Sequence, residues 1–233
     1  MTEWLKQMSG KVTDFLFPSQ CIGCGKTGDF ICVHCLNKLP YLLPPLCKKC
    51  GRPESSGYYC SNCWGVQTSI ETIRSVFVFD GIIREAIHEL KYHNLRAIAP
   101  CLAKYMTEYY KSNGLPGEAL LPVPLHANRL RNRGYNQSAL LAEKISELIN
   151  LPVLHEVLFR IKDSNPQALT PDVHVRRQNV LDAFYCCSGE VVGKEVILID
   201  DVCTSGATLE ACAEALKKAG TKKVIGFTLA REI

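Results

Sequence analysis

VILIDDVCTSGATL, residues 196–209, is the stretch whose reading decides how this chain folds. Val196, Ile197, Leu198 and Ile199 have the aliphatic, β-branched character of a strand buried on both faces. Asp200 and Asp201 stand at the carboxyl end of that strand. The turn Thr204-Ser205-Gly206-Ala207-Thr208 then leads into a helix predicted over about 207–219, with Gly220 as its C′ glycine. Ligands of open parallel sheets bind outside the carboxyl ends of strands, so the placement suits a site. The turn can aim several backbone N–H groups and three hydroxyls at one phosphate, and the helix N-terminus adds partial positive charge. Gly206 lets the backbone come close to the oxygens. The sequence lacks G-x-x-x-x-G-K-[ST], so this is not a Walker A loop. Asp200 and Asp201 are acceptors suited to vicinal hydroxyls, or to a magnesium ion beside them. A polar helix cap is the bland alternative, but a cap alone accounts for neither the paired acids nor the run of phosphate-type turn residues.

Outward from this stretch, IRSVFVF (73–79), ALLPVP (119–124), VLHEVL (153–158) and VIGFTL (224–229) are apolar runs of strand length. Between them lie helical patterns. Ile83, Ile87 and Leu90 mark one, Leu95, Ile98, Leu102, Tyr105 and Tyr109 another, and SALLAEKISELI (138–149) a third, stopped by Pro152. Strands alternating with helices predict an α/β domain over residues 70–233 with a mainly parallel sheet. Residues 1–18 are expected to form a separate amphipathic helix. Trp4, Met8, Val12 and Phe15/Leu16 share a face, and Pro18 ends it.

Residues 19–66 read as a different kind of unit. Of 13 cysteines, eight form four pairs of one spacing: Cys21/Cys24, Cys32/Cys35, Cys47/Cys50 and Cys60/Cys63. With no export signal to place them in an oxidising compartment, zinc explains them better than disulfides. Redox-active C-x-x-C motifs occur singly beside a βαβ unit, not four in a row. Sequential pairing into two Cys₄ sites is the simpler assignment, and interleaved pairing is the alternative. His34 is expected to be a bystander, and Cys101, Cys186, Cys187, Cys203 and Cys212 to be core or loop residues. The segment LNKLPYLLPPL (36–46), with three prolines, reads as a stiff connector between two metal knuckles.

The 233 residues are 47% hydrophobic and 21% charged, which excludes general disorder. No run approaches the about 20 apolar residues of a membrane span, so a cytoplasmic protein is expected. Net charge is +4, too small for a whole-molecule argument about nucleic acid. Seven Lys/Arg against four Asp/Glu place +3 of it in residues 1–70.

The 196–209 stretch resembles the phosphoribosyl-diphosphate (PRPP) loop of type I phosphoribosyltransferases. PVPLHANRLRNRGYNQ (122–137), QALTPDVHVRRQNVLDAF (167–184) and the double zinc ribbon are similar to their counterparts in the ComF family of ComFC and GntX-like proteins. The resemblance spans essentially the whole chain. It implies a type I phosphoribosyltransferase fold preceded by the ribbon module, with PRPP and Mg²⁺ as ligands. By the same resemblance, Asp200 and Asp201 hold the ribose hydroxyls and residues 204–208 the 5′-phosphate. The segment 124–137 would be the pyrophosphate loop, with Arg129 and Arg133 as its cations. The segment 160–184 would close over the reacting centre, with Gln167, Arg176 and Arg177 as catalytic candidates. Lys91, in HELKYHN (88–94), falls in the hood region, where an exposed helix-end lysine is an equal reading. Gly134-Tyr135-Asn136 departs mildly from the Gly-Phe-Asn of relatives.

The function so implied is Mg²⁺-dependent phosphoribosyl transfer to an acceptor that residues 71–118 do not spell out, in the setting of competence and DNA uptake. The alternative keeps the fold as a PRPP-responsive module handling single-stranded DNA beside other uptake proteins. Its support is the basic zinc module and the aromatics Tyr41, Tyr58, Tyr59 and Trp64.

Overall fold

The computed structural model describes residues 19–162, 183–187 and 189–233. The helix expected over 1–18, and the positions of Gln167, Arg176 and Arg177, lie outside the described residues. Among the described residues six strands run Thr72–Val78 (β1), Ala119–Pro122 (β2), Leu158–Arg160 (β3), Phe184–Cys186 (β4), Glu195–Cys203 (β5) and Lys223–Arg231 (β6). The helices are Val33–Leu36 (α1), Gly81–Tyr92 (α2), Ala99–Asn113 (α3), Ala127–Arg133 (α4), Gln137–Ile149 (α5) and Ala207–Lys218 (α6).

The main sheet has the order β1-β6-β5-β2 with every pair parallel. Helices α2, α3 and α5 cover one face, where Ile87, Leu102 and Leu141 pack with Ile197 and Ile199. Helix α6 covers the other through Leu209, Cys212 and Leu216 against Val196 and Leu198. Burial on both sides is why Val196 through Ile199 form one uninterrupted apolar run.

The zinc module seals an edge. Ile73 N–H donates to Lys49 O at 2.7 Å, Leu42 N–H to Val76 O at 2.9 Å, and Val78 N–H to Pro40 O at 2.8 Å. The proline-rich connector therefore lies along the second half of β1 and the knuckle at Lys49 along its start, covering this edge of the sheet. Cys21, Ile31, Cys35 and Leu39 join the same buried cluster as Phe77 and Ile83. The module and the α/β portion share a core.

Two expectations change in detail. VLHEVL does not form a strand over 153–158: Val153 makes one bridge to Leu120, and Glu156 takes a left-handed φ of 56° that turns the chain. The strand starts at Leu158 and pairs antiparallel with β4, setting Arg160 opposite Phe184. The segment 124–137 is not all loop, because α4 lies inside it. The His126 side chain caps α4 by accepting from Asn128 N–H at 3.3 Å, and Gly134 closes it at a φ of 78°.

Candidate functional site

The eight cysteines settle into two groups in chain order, Cys21/Cys24/Cys32/Cys35 and Cys47/Cys50/Cys60/Cys63, each with its sulfurs within 4.8 Å of one another. Sequential pairing is the observed one. A zinc tetrathiolate with Zn–S bonds of about 2.3 Å has sulfur–sulfur edges of about 3.8 Å. Cys24 and Cys32 stand 3.6 Å apart and Cys50 and Cys60 3.7 Å, so both groups fit the ion. Burial opposes ionisation of Cys21 and Cys47, but N–H donors outweigh it, including Cys32 N–H on Cys21 and Cys60 N–H on Cys47. Both thiols come down to about 6. Burial and the neighbouring thiols push Cys35 up to about 12, a crowding of negative charge that a cation relieves. His34 and the other five cysteines belong to neither group. His88, Glu89 and His93 also lie within ligand reach of one another, but that cluster offers no thiolate and His88 and His93 are exposed. Native mass spectrometry of the full chain is expected to show two retained zinc ions. One ion or none would overturn the two-site assignment.

The second centre of chemistry is the carboxyl end of β5. Asp201 is buried at 2% exposure, and its Oδ2 meets Lys91 Nζ at 2.8 Å. Lys91 comes from the last turn of α2, whose buried face (Ile83, Ala86, Ile87, Leu90) fixes the register that delivers it. Burial disfavours the Lys91 charge, yet Asp201 and Asp200 more than compensate, and its pKa rises. Of the two readings of Lys91, the structure brings it into the site. Asp200 Oδ1 accepts from Ser138 Oγ at 2.8 Å and from Asp201 N–H at 2.9 Å. Burial, then the Asp201 charge, push Asp200 up to about 7 against the pull of Lys91. Two carboxylates so close cannot both be cheaply ionised in the free protein, and polar ligand groups or a cation would satisfy them.

Beyond Cys203 the chain turns through Thr204, Ser205 and Gly206 into α6. Gly206 caps the helix at a φ of 86°, a left-handed conformation that glycine adopts without strain. Ser205 Oγ accepts from Ala207 N–H at 3.3 Å. Thr204 is exposed, Ser205, Ala207 and Thr208 are partly so, and Gly206 is buried.

The arginines approach from β2. Asn136 anchors their segment, its Nδ2 donating to Val123 O at 2.9 Å while its Oδ1 caps α5 at Ser138 N–H. Arg133 donates to Gln137 Oε1 and lies 5.7 Å from the Tyr92 ring centre. Lys91, Arg129 and Arg133, with Tyr92 and Tyr135, line a cleft of about 430 Å³ that has no acidic lining residue. Lys91 thus belongs both to this cationic cleft and to the aspartate pair. Sequence reasoning missed Ser138, whose only signal was its place at the start of α5.

The comparisons with known proteins agree with this division. Residues 12–64 match the double zinc ribbon domain, and residues 138–232 the phosphoribosyl transferase domain. Competence protein F of Haemophilus influenzae is 28% identical over 87% of this chain and 97% of its own length. Competence protein ComFC of Bacillus subtilis is 27% identical over 88% of this chain and 86% of its own. DNA utilization protein YhgH of Escherichia coli K12 is 26% identical over 81% and 85%. Among solved structures, a glutamine PRPP amidotransferase from B. subtilis aligns at 20% identity and a TM-score of 0.39, over 57% of this chain and 26% of that one. Two zinc-fitting Cys₄ groups, a parallel sheet with its acids and turn at the carboxyl end of β5, and relatives matched over most of their length lead to one conclusion: the chain is a double zinc ribbon followed by a phosphoribosyl transferase domain, similar over most of its length to competence protein F and ComFC.

Proposed function

We propose that the site at the carboxyl end of β5 binds PRPP with Mg²⁺ and transfers its phosphoribosyl group to an acceptor. One observation carries this reading: Lys91 lines the cationic cleft with Arg129 and Arg133 and also pairs at 2.8 Å with Asp201, on the strand that leads into the Thr204–Thr208 turn. The aspartates accept from the ribose hydroxyls, and the turn with the α6 N-terminus holds the 5′-phosphate. Arg129 and Arg133 face the pyrophosphate. The C1′–O bond to pyrophosphate breaks as the acceptor's bond to C1′ forms. The electron pair leaves with the pyrophosphate, and the acceptor's proton passes to solvent. Mg²⁺ supplies charge neutralisation of the leaving group. The arginines stabilise the same growing charge, and Gln167, Arg176 and Arg177 are assigned to covering the reacting centre against water. The reduced cytoplasm suits the free thiols.

Titration calorimetry with PRPP and Mg²⁺ tests the binding step. Asp201→Ala is expected to weaken affinity by about 1–3 kcal/mol, the range for hydrogen bonds to charged groups. Unchanged affinity in the Asp200/Asp201 double alanine variant overturns the assignment. A pyrophosphate-release screen with assorted acceptors tests the transfer step.

A second reading, non-catalytic handling of single-stranded DNA during uptake, is favoured by the exposed rings of the second ribbon. Tyr58, Tyr59 and Trp64 are 61%, 45% and 72% exposed, and Lys48 Nζ lies 4.3 Å from the Tyr58 ring centre. Aromatic platforms beside cations stack bases without sequence preference. Fluorescence anisotropy of a labelled oligonucleotide distinguishes the readings. A Tyr58→Ala/Trp64→Ala variant that loses salt-sensitive binding, in a protein without pyrophosphate release, supports DNA handling. Equal binding removes the ribbon from that argument.

A further inference from the structure

Three nitrogen and oxygen donors meet at the carboxyl end of α2, outside both centres described above. His88, Glu89 and His93 each bring one ligand atom to within 4.8 Å of the others. The buried stripe of α2 (Ile83, Ala86, Ile87, Leu90) faces the core, which leaves positions 88, 89 and 92 on the outer side of the helix. His93 is the C-cap, at a φ of −109° that is no longer helical, and its Nδ1 stands 2.8 Å from Glu89 Oε1 one turn earlier. The last carbonyls of a helix favour a cation at this end.

The spacings are those of ligands around one ion. An imidazole nitrogen binds zinc at about 2.0–2.1 Å, which puts the ring centre about 3.2 Å from the metal. Two such rings at angles of about 90–109° have centres about 4.5–5.2 Å apart. The His88 and His93 rings are 5.1 Å apart, with their planes at 71°. A nitrogen and an oxygen at adjacent positions on one ion are about 3 Å apart, and Glu89 meets His93 at 2.8 Å. A Glu–His hydrogen bond accounts for that one edge of the triangle, and His88 closes the other two.

The features that set this cluster apart from the ribbons define the ion it suits. Two imidazoles and a carboxylate select Ni²⁺, Cu²⁺ or Zn²⁺ over Mg²⁺ and Ca²⁺. Exposed ligands let such an ion exchange, and three protein ligands leave one coordination position open. Tyr92, whose ring lies 4.8 Å from that of His88, is also a wall of the cationic cleft.

We propose that His88, Glu89 and His93 form a third metal site, for an exchangeable divalent ion of the Ni²⁺, Cu²⁺ and Zn²⁺ kind, at the lip of the cleft that Lys91 and Tyr92 line. Folding does not depend on it, because the buried stripe already fixes α2. The site is independent of the PRPP reading.

Ni²⁺ is the probe, added to the full-length protein with its zinc in place. Native mass spectrometry is expected to show one nickel per chain beside an unchanged zinc count. In histidine-selective NMR the imidazole signals of His88 and His93 are expected to broaden first among the six histidines. His88→Ala and His93→Ala are each expected to weaken nickel binding in calorimetry by about tenfold or more, since loss of even a supporting group at a metal site costs about 10–100-fold. Both side chains are exposed, so the metal-free melting temperature of each variant is expected to match the parent. If either melt shifts, the order of broadening in the parent still decides. Three results overturn the site: unchanged nickel affinity in both histidine variants, broadening that begins at His34, His126, His155 or His174, or nickel that enters only by displacing zinc.

Discussion

Cys47→Ser is expected to cost the chain one zinc ion and the folded state of its second ribbon. Cys47 is fully buried, and its sulfur sits among three other ligands. Structural zinc contributes about 10–16 kcal/mol to folding in small peptides, as much as the 5–15 kcal/mol that stabilises a typical domain. The damage does not stop at the ribbon. Lys48 O and Lys49 O accept from Thr72 Oγ1 at 2.7 and 3.2 Å, and Lys49 O also accepts from Ile73 N–H, so part of the outer edge of β1 loses its cover. Low soluble yield, one retained zinc and new alkylation at Cys50, Cys60 and Cys63 are the expected readouts. A variant that keeps both ions and its melting temperature would show that the group is not a closed four-ligand site.

Lys91→Met is expected to lower stability by about 3–5 kcal/mol, the range for removing one partner of a buried ion pair. Asp201 is then left at 3% side-chain exposure without its cation. The double variant Lys91→Met/Asp201→Leu should recover most of that stability while failing to bind PRPP, because the apolar pair needs no counter-charge but offers no acceptor. Denaturant melts of both variants check this. A single variant as stable as the parent would show that the pair is not buried as described. Asp200 adds a pH dependence of definite sign. Its folded pKa of about 7 lies above the ordinary carboxylate value, so the folded state holds the proton more tightly than the unfolded chain. Stability from this group is therefore lost as pH rises from the carboxylate range to about 7. Asp200→Asn should flatten that slope, and ligand-free protein carrying it should melt higher than the parent at pH 8. Asp201 and Lys91 are the charged groups that set the Asp200 value, so Lys91→Met should move the slope upward in pH. A melting profile in which the Asn variant tracks the parent at every pH would contradict this.

Much of the molecule was readable before any coordinate. The 3.6-residue spacing of Ile83, Ile87 and Leu90 became the buried stripe of α2, and EVILID and VIGFTL became adjacent central strands. Such elements are legible because burial imposes a period on nearby residues. VLHEVL misled because a short apolar run carries no period of its own, and the turn at Glu156 depends on where the chain must go next. The eight cysteines and the Asp-Asp-turn stretch were legible for a different reason: their chemistry is concentrated within a few residues.

Local composition and spacing were enough to specify an α/β domain, a zinc module and a phosphate turn. Which cysteines share each ion, which residue answers Asp201, and where the module docks depended on the folded chain. Those are meetings between distant segments: Lys91 with Asp201, Ser138 with Asp200, Arg52 with Thr204, and Arg231 with Cys203. A lysine near a helix end or an arginine two residues from the end of the chain looks like any other in a string of letters. Only the packing of α2 against β5, and the parallel register of β5 and β6, bring such residues to Asp201 and Cys203. Electrostatic partnership depends on distance and burial, and both are properties of the assembled fold.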